Sequence, residues 1–240
     1  MTPGSVDVSA APATVEVTAR WTDSGSGLPC GTEMTIQSRT SPQSASGVLV
    51  RSQGASSDAT FKGTLTIRRG SANGTWTMDS MSGTDLMGNI ARYGTGRGVK
   101  AWPPGSNISI SVANSSPDTS APKLESVALS PAAIDVTASP KTINASARVT
   151  DAGLGALPNF TIALRSEQST QSLSLHMQRV SGTGNDGNYS GSISMPRGAA
   201  GGRWNIDSIA TLDLAGNLGV VQGKEASLWP AGAVTSTGWK

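Results

Sequence analysis

The chain has 240 residues, 18 Lys+Arg against 16 Asp+Glu, a formal charge of +2, 36% hydrophobic and 14% charged residues. That length allows two domains of ordinary size, and the near-neutral balance, with no basic block beyond Arg68-Arg69, excludes the electrostatic footprint of a nucleic-acid binder. No apolar run nears the roughly 18 residues of a membrane span, and one cysteine, Cys30, excludes an internal disulfide or a cysteine zinc site.

Low net charge combined with apolar alternation argues for folded β structure over disorder. Residues 1–20 lack a charged segment followed by an apolar one, so no signal peptide is expected within them. The first alternating run places Val15, Val17, Ala19 and Trp21 on one face; Phe61, Leu65 and Ile67 follow, then Trp76 and Met78. The stretch NSSPDTSAPK, residues 114–123, reads as a short extended linker. Beyond it come LESVALSP and four more alternating runs. These are Ile143, Ala145, Ala147 and Val149; Leu173, Leu175 and Met177; Tyr189, Ile193 and Met195; and Trp204, Ile206, Ala210 and Leu212. Period two over short runs, punctuated by Gly, Pro, Asn and Asp, predicts half-buried antiparallel strands. No window carries a helical apolar stripe.

The two halves read alike. GTWTMDSMSGTDLMGN at 74–89 matches GRWNIDSIATLDLAGN at 202–217, an offset of 128 residues. The same offset pairs Ala19-Arg20 with Ala147-Arg148, Thr22-Asp23 with Thr150-Asp151, and Arg69-Gly70 with Arg197-Gly198, without a gap from about residue 6 to 90. Trp102-Pro103 pairs with Trp229-Pro230 after a one-residue slip. The expected organisation is a first repeat over 1–113, a linker over 114–123 and a second repeat over 124–240. Thr2-Pro3 aligns with Ser130-Pro131, so the strand LESVALSP has no counterpart after Met1. The first repeat is therefore expected to lack its opening strand, and the chain to belong to a longer protein. Residues 107–112, NISISV, are the candidate cover for the sheet edge left open.

TINASARVTDAGLGA, followed by DGNYSGSISMPRGAAGGRWNIDSIATLDLAGN, resembles bacterial immunoglobulin-like (Big-type) tandem repeats. The likeness covers nearly all of the second half and most of the first, where Asp58-Ala59 replaces Asp186-Gly187 and Arg68 replaces Pro196. It implies two Ig-like antiparallel β-sandwiches of about seven strands each, in a secreted or surface-anchored bacterial protein. Stalks, adhesins and enzyme appendages are built from such domains, and the resemblance fixes no ligand.

Candidate chemistry is sparse. The one histidine, His176, sits between Leu175 and Met177 and so falls on the opposite, solvated face, where it has no second histidine to work with. No P-loop, HExxH or GxSxG motif occurs. No catalytic residue is assigned, and the chain is expected not to be an enzyme. The recurring acids and amides are Asp85/Asn89 and Asp213/Asn217, with Asp79/Asp207 and Asp23/Asp151 alongside. Asp-x-x-Gly-Asn closes a turn by accepting backbone hydrogen bonds; the alternative is a calcium site with Asp85, Asn89, Asp213 and Asn217 as ligands, since calcium takes carboxylate, amide and carbonyl oxygens. Trp76 and Trp204 read as core. Trp102 and Trp229 are the candidate ligand-binding aromatics, set against packing at the domain ends. The expected role is a non-catalytic extracellular spacer, adhesion or enzyme-accessory segment, with neighbouring domains of the parent protein as partners. The alternative is a glycan- or host-protein-binding module.

Overall fold

The structure, a computed structural model, describes residues 1–95, 98–223 and 229–239. The described residues form strands, turns and bends and no helix. The chain divides into two compact units, Met1–Thr119 and Ser120–Lys240.

Unit 1 holds β1 (Ser5–Asp7), β2 (Ala13–Thr22), β3 (Gly31–Ser38), β4 (Ser44–Ala55), β5 (Asp58–Ile67), β6 (Gly74–Thr84), β7 (Ile90–Gly94) and β8 (Ser109–Ala113). They hydrogen-bond in the order β1-β8-β6-β3-β4-β5-β2, with β7 also on β6. β4 carries the path round the unit: Ser44–Val50 pair with β3, and Val50–Ala55 pair with β5. Unit 2 holds β9 (Lys123–Ser130), β10 (Ala133–Ile134), β11 (Lys141–Thr150), β12 (Asn159–Ser166), β13 (Ser172–Gly182), β14 (Asp186–Met195), β15 (Gly202–Leu212), β16 (Leu218–Gln222) and β17 (Ser236–Trp239). Their order is β10-β17-β15-β12-β13-β14-β11-β9, with β16 also on β15. The expectation of antiparallel units of about seven strands each holds in its all-β character and differs in two details. Among the described residues there are eight strands in one unit and nine in the other, and β1/β8 and β10/β17 are parallel.

Burial follows the alternation read from the sequence until a bulge interrupts it. β3 and β6 slip register between Thr35 and Ile36, which leaves Asp79 as the extra residue of β6; β12 and β15 slip between Ala163 and Leu164, which leaves Asp207 extra in β15. An extra residue reverses which side chains face inward. Ile209 and Thr211 are therefore buried in place of Ala210 and Leu212, and Met81 is buried in β6. Ahead of each bulge stands a tryptophan, Trp76 or Trp204, each 1% exposed. Their indole N–H groups donate to Ala72 O and Ala200 O, both at 3.0 Å, so each ring is buried without an unsatisfied donor.

The units differ at one edge. In unit 2, β9 lines β11 and buries Leu124, Val127 and Leu129. In unit 1 the same side of β2 carries only the Thr2–Glu16 bridge among the described residues. NISISV does not cover that edge: Ser109–Ala113 form β8, which pairs with β6 and β1. Aromatic bulk covers the adjoining end of the core instead. Trp21, where unit 2 has Val149, meets Tyr93 edge-on at 5.5 Å, and Tyr93 stacks on Trp102 at 6.1 Å.

Arg20–Asp58 and Arg148–Asp186 form two-pronged ion pairs on exposed faces. Hydrogen bonds from the arginines hold both carboxyls below their ordinary 3.8. A lowered folded pKa adds stability that is present above the unfolded value and lost as pH falls through the folded one. Urea unfolding between pH 6 and pH 2 should show that loss at the acid end, and Arg148→Ala should flatten it in unit 2. Trp204→Ala should cost about 3–5 kcal/mol by the same measurement, as expected for truncating a fully buried ring.

Candidate cation site

Beyond β11 the chain turns through Asp151 and Gly155. Asp151 Oδ1 accepts the amides of Gly153 and Gly155, both at 2.9 Å. Gly155 has φ +98°, a conformation side chains resist, and a Cβ there would lie 3.0 Å from Gly184 Cα. Asn185 fixes the loop from outside, its Nδ2 donating to Asp151 O at 3.0 Å and Gly153 O at 2.8 Å. The second component follows β15. Asp213 Oδ1 accepts the amides of Gly216 at 2.6 Å and Asn217 at 2.7 Å, while its Oδ2 accepts Asn217 Nδ2 at 2.6 Å. Gly216, at φ +96°, lets the Asp-x-x-Gly-Asn turn close. A bridge between Ala156 and Asp213 joins the two loops.

The outcome is a carboxylate pair inside protein. Oxygens of Asp151 and Asp213 lie within 4.8 Å of one another. Asp151 is 6% exposed, Asp213 0% and Asn217 1%. Asp151 Oδ2 is buried with no hydrogen-bond partner, and no ion pair reaches Asp151 among the described residues. Two like charges out of water are strongly disfavoured unless something positive lies between or beside them. The donor set is all oxygen, the preference of calcium and magnesium over softer metals, and the orphaned Asp151 Oδ2 fits such an ion. The expected ligand Asp213, with Asn217 bonded to it, thus meets Asp151, a recurring acid that is not among the expected ligands.

Asp85 and Asn89 make the same turn in a different setting. Asp85 Oδ1 accepts the amides of Met87 at 2.9 Å and Asn89 at 2.7 Å, and its Oδ2 accepts Asn89 Nδ2 at 2.7 Å. The hydrogen bond from the Asn89 side chain leads the causes that hold the Asp85 carboxyl below 3.8. Asp23 Oδ2 accepts the amides of Gly25 at 3.1 Å and Gly27 at 2.6 Å. Here Asn89 is exposed and both acids are half-buried. Together with Lys100 they line a cavity of about 240 Å³. Unit 1 thus keeps these acids in a lined cavity, with a lysine among the lining residues, where unit 2 buries Asp151 and Asp213.

The other candidate residues are dispersed. Trp229 is 8% exposed, belongs to the core of unit 2 and donates its indole N–H to Gly223 O at 3.0 Å. Trp102 is half-buried against Tyr93. His176 is exposed beside Thr161, and Cys30 is exposed.

No protein-family model matches the chain, and no curated protein does. Among solved structures, the chain overlaps a leucine-rich repeat protein from Bacteroides thetaiotaomicron at 9% identity, covering 86% of this chain and 23% of that one, with a TM-score of 0.22. It overlaps a Ca2+-stabilised adhesin with which an Antarctic bacterium binds ice at 16% identity, covering 99% and 46%, TM-score 0.29. CBD12 from CALX1.2 gives 11% identity, 98% and 95%, TM-score 0.21. The chain spans less than half the length of the first two, and overlaps this loose assign no function.

Asp213→Ala removes three hydrogen bonds to a buried carboxylate and should destabilise unit 2 by about 2–3 kcal/mol in urea unfolding with EDTA present. Asp85→Ala, whose turn is solvated, should cost unit 1 distinctly less.

Proposed function

We propose that this chain is a non-catalytic tandem module of Ig-like β-sandwich repeats and that calcium, held by Asp151, Asp213 and Asn217, stiffens its second repeat. The module serves as a spacer, adhesion or accessory segment of a larger extracellular bacterial protein. The observation that carries the cation is the buried, partnerless Asp151 Oδ2 beside Asp213. The repeat reading is supported by features that recur 128 residues apart: the two tryptophan–carbonyl bonds, the two bulges after them and the two arginine–aspartate pairs.

Mechanically, the ion ties the loop after β11 to the turn after β15, so one end of the unit loses freedom without any new apolar contact. Neighbouring domains of the parent protein are the partners of such a module. The aromatic alternative gains no support, because Trp229 is buried.

Thermal melts of the full chain with EDTA, with calcium and with magnesium test this reading. Calcium at about 100 times its Kd stabilises by about 2.7 kcal/mol, so the midpoint of one transition should rise by several degrees. Asp151→Asn should abolish the rise, and Asp85→Asn should leave it. An unchanged midpoint with either ion would overturn the cation reading, and the repeat architecture would stand on its own.

A further inference from the structure

We propose that the open side of β2, from Val17 to Thr22, is a docking edge for a six-residue extended segment that runs into Met1 and pairs antiparallel with β2, as Lys123–Ala128 pair with β11. The register is already begun. Thr2 and Glu16 exchange both backbone bonds, at 2.9 and 2.8 Å, and their counterparts 128 residues on, Ser130 and Asn144, are partners in unit 2. Met1, the counterpart of Leu129, packs against the core of unit 1. Two residues of the strand are thus seated in unit 1, and in unit 2 the same strand continues for six more, Lys123–Ala128.

Beyond Glu16 the edge is unpaired. The Glu16 amide points to the open side, where it donates to Thr2 O. Amides two and four residues further along a strand point the same way, so those of Thr18 and Arg20 face a side where no described strand pairs. A row of free donors and acceptors beside buried apolar side chains is a template for strand addition. Val17 is 3% exposed, and its neighbour on the inward face is Ala19.

Unit 2 specifies the chemistry of the occupant. Leu124 and Val127 of β9 are 7% and 2% exposed, with Glu125 and Ser126 between them and a register slip at Arg148/Val149 that accommodates two polar residues in a row. The occupant is therefore extended, apolar at the Leu124 and Val127 positions, polar at Lys123, Glu125 and Ser126, and small at Ala128. Space exists where its Leu124 counterpart would arrive: the cavity of about 240 Å³ is bordered there by Trp21, Thr22, Leu28 and Phe61. The exposed ion pairs Glu16–Lys62 and Arg20–Asp58 lie on the outer face and leave the edge itself clear.

The test grafts Lys-Leu-Glu-Ser-Val-Ala directly ahead of Met1 in the full chain and follows amide hydrogen exchange. Exchange at Thr18 and Arg20 should slow at least tenfold, with a higher melting midpoint for unit 1. A control graft carrying Leu124→Asp and Val127→Pro should lose both effects. Unchanged exchange in the first graft, or equal slowing by the control, would overturn the proposal. Concentration-dependent protection of Thr18 and Arg20 in the ungrafted chain, with dimers in light scattering, would also overturn it by making a second copy the occupant.

Discussion

A carboxylate taken out of water must be met, oxygen by oxygen, by donors or by a cation. Asp213 is met at both oxygens, by two amides of its own turn and by the side chain of Asn217. Asp151 is met at one oxygen only, by the amides of Gly153 and Gly155. The rest of the site is arranged around that imbalance. Gly155 and Gly216 adopt backbone conformations that bring the loops in close, Asn185 pins the first loop, and the Ala156–Asp213 bridge holds the two together. On the reading proposed above, a calcium ion there would turn the repulsion between the two acids into a cross-link between strand ends.

The same residues in unit 1 show that the turn alone does not create this demand. Asp85 and Asn89 repeat the hydrogen bonds of Asp213 and Asn217 almost bond for bond, yet Asn89 is exposed and Asp85 half-buried, lining a cavity that Lys100 also borders. Burial therefore separates the two turns: Asp213 and Asn217 are out of water, whereas Asp85 is half-buried and Asn89 exposed. The cores diverge in a related way. Unit 2 covers one end with Leu124 from β9, next to Val149 and Val221. Unit 1 has Trp21 and Tyr93 at the latter two positions, and their rings meet edge-on.

The strands were legible because short period-two runs leave little choice of element. β11, β13, β14, β2 and β5 follow their alternation through to burial, and both tryptophans sit at the centre of their cores. Alternation failed past Asp207, because a bulge adds a residue whose only trace in the sequence is a change of phase: Ile209 and Thr211 inside, Ala210 and Leu212 turned away. The parallel pairs β1/β8 and β10/β17 were not legible either, since they join segments more than 100 residues apart through strands as short as two residues. Of the site, Asp213 and Asn217 could be read from their turn. Asp151 recurs with Asp23 in the sequence, but only the fold brings it against Asp213, across more than 60 residues of chain.

Calorimetric titration of calcium into the EDTA-treated full chain tests the central claim most directly. Saturable binding is expected, abolished by Asp151→Asn and preserved by Asp85→Asn. Binding that survives Asp151→Asn, or no heat of binding in the unmodified chain, would contradict it.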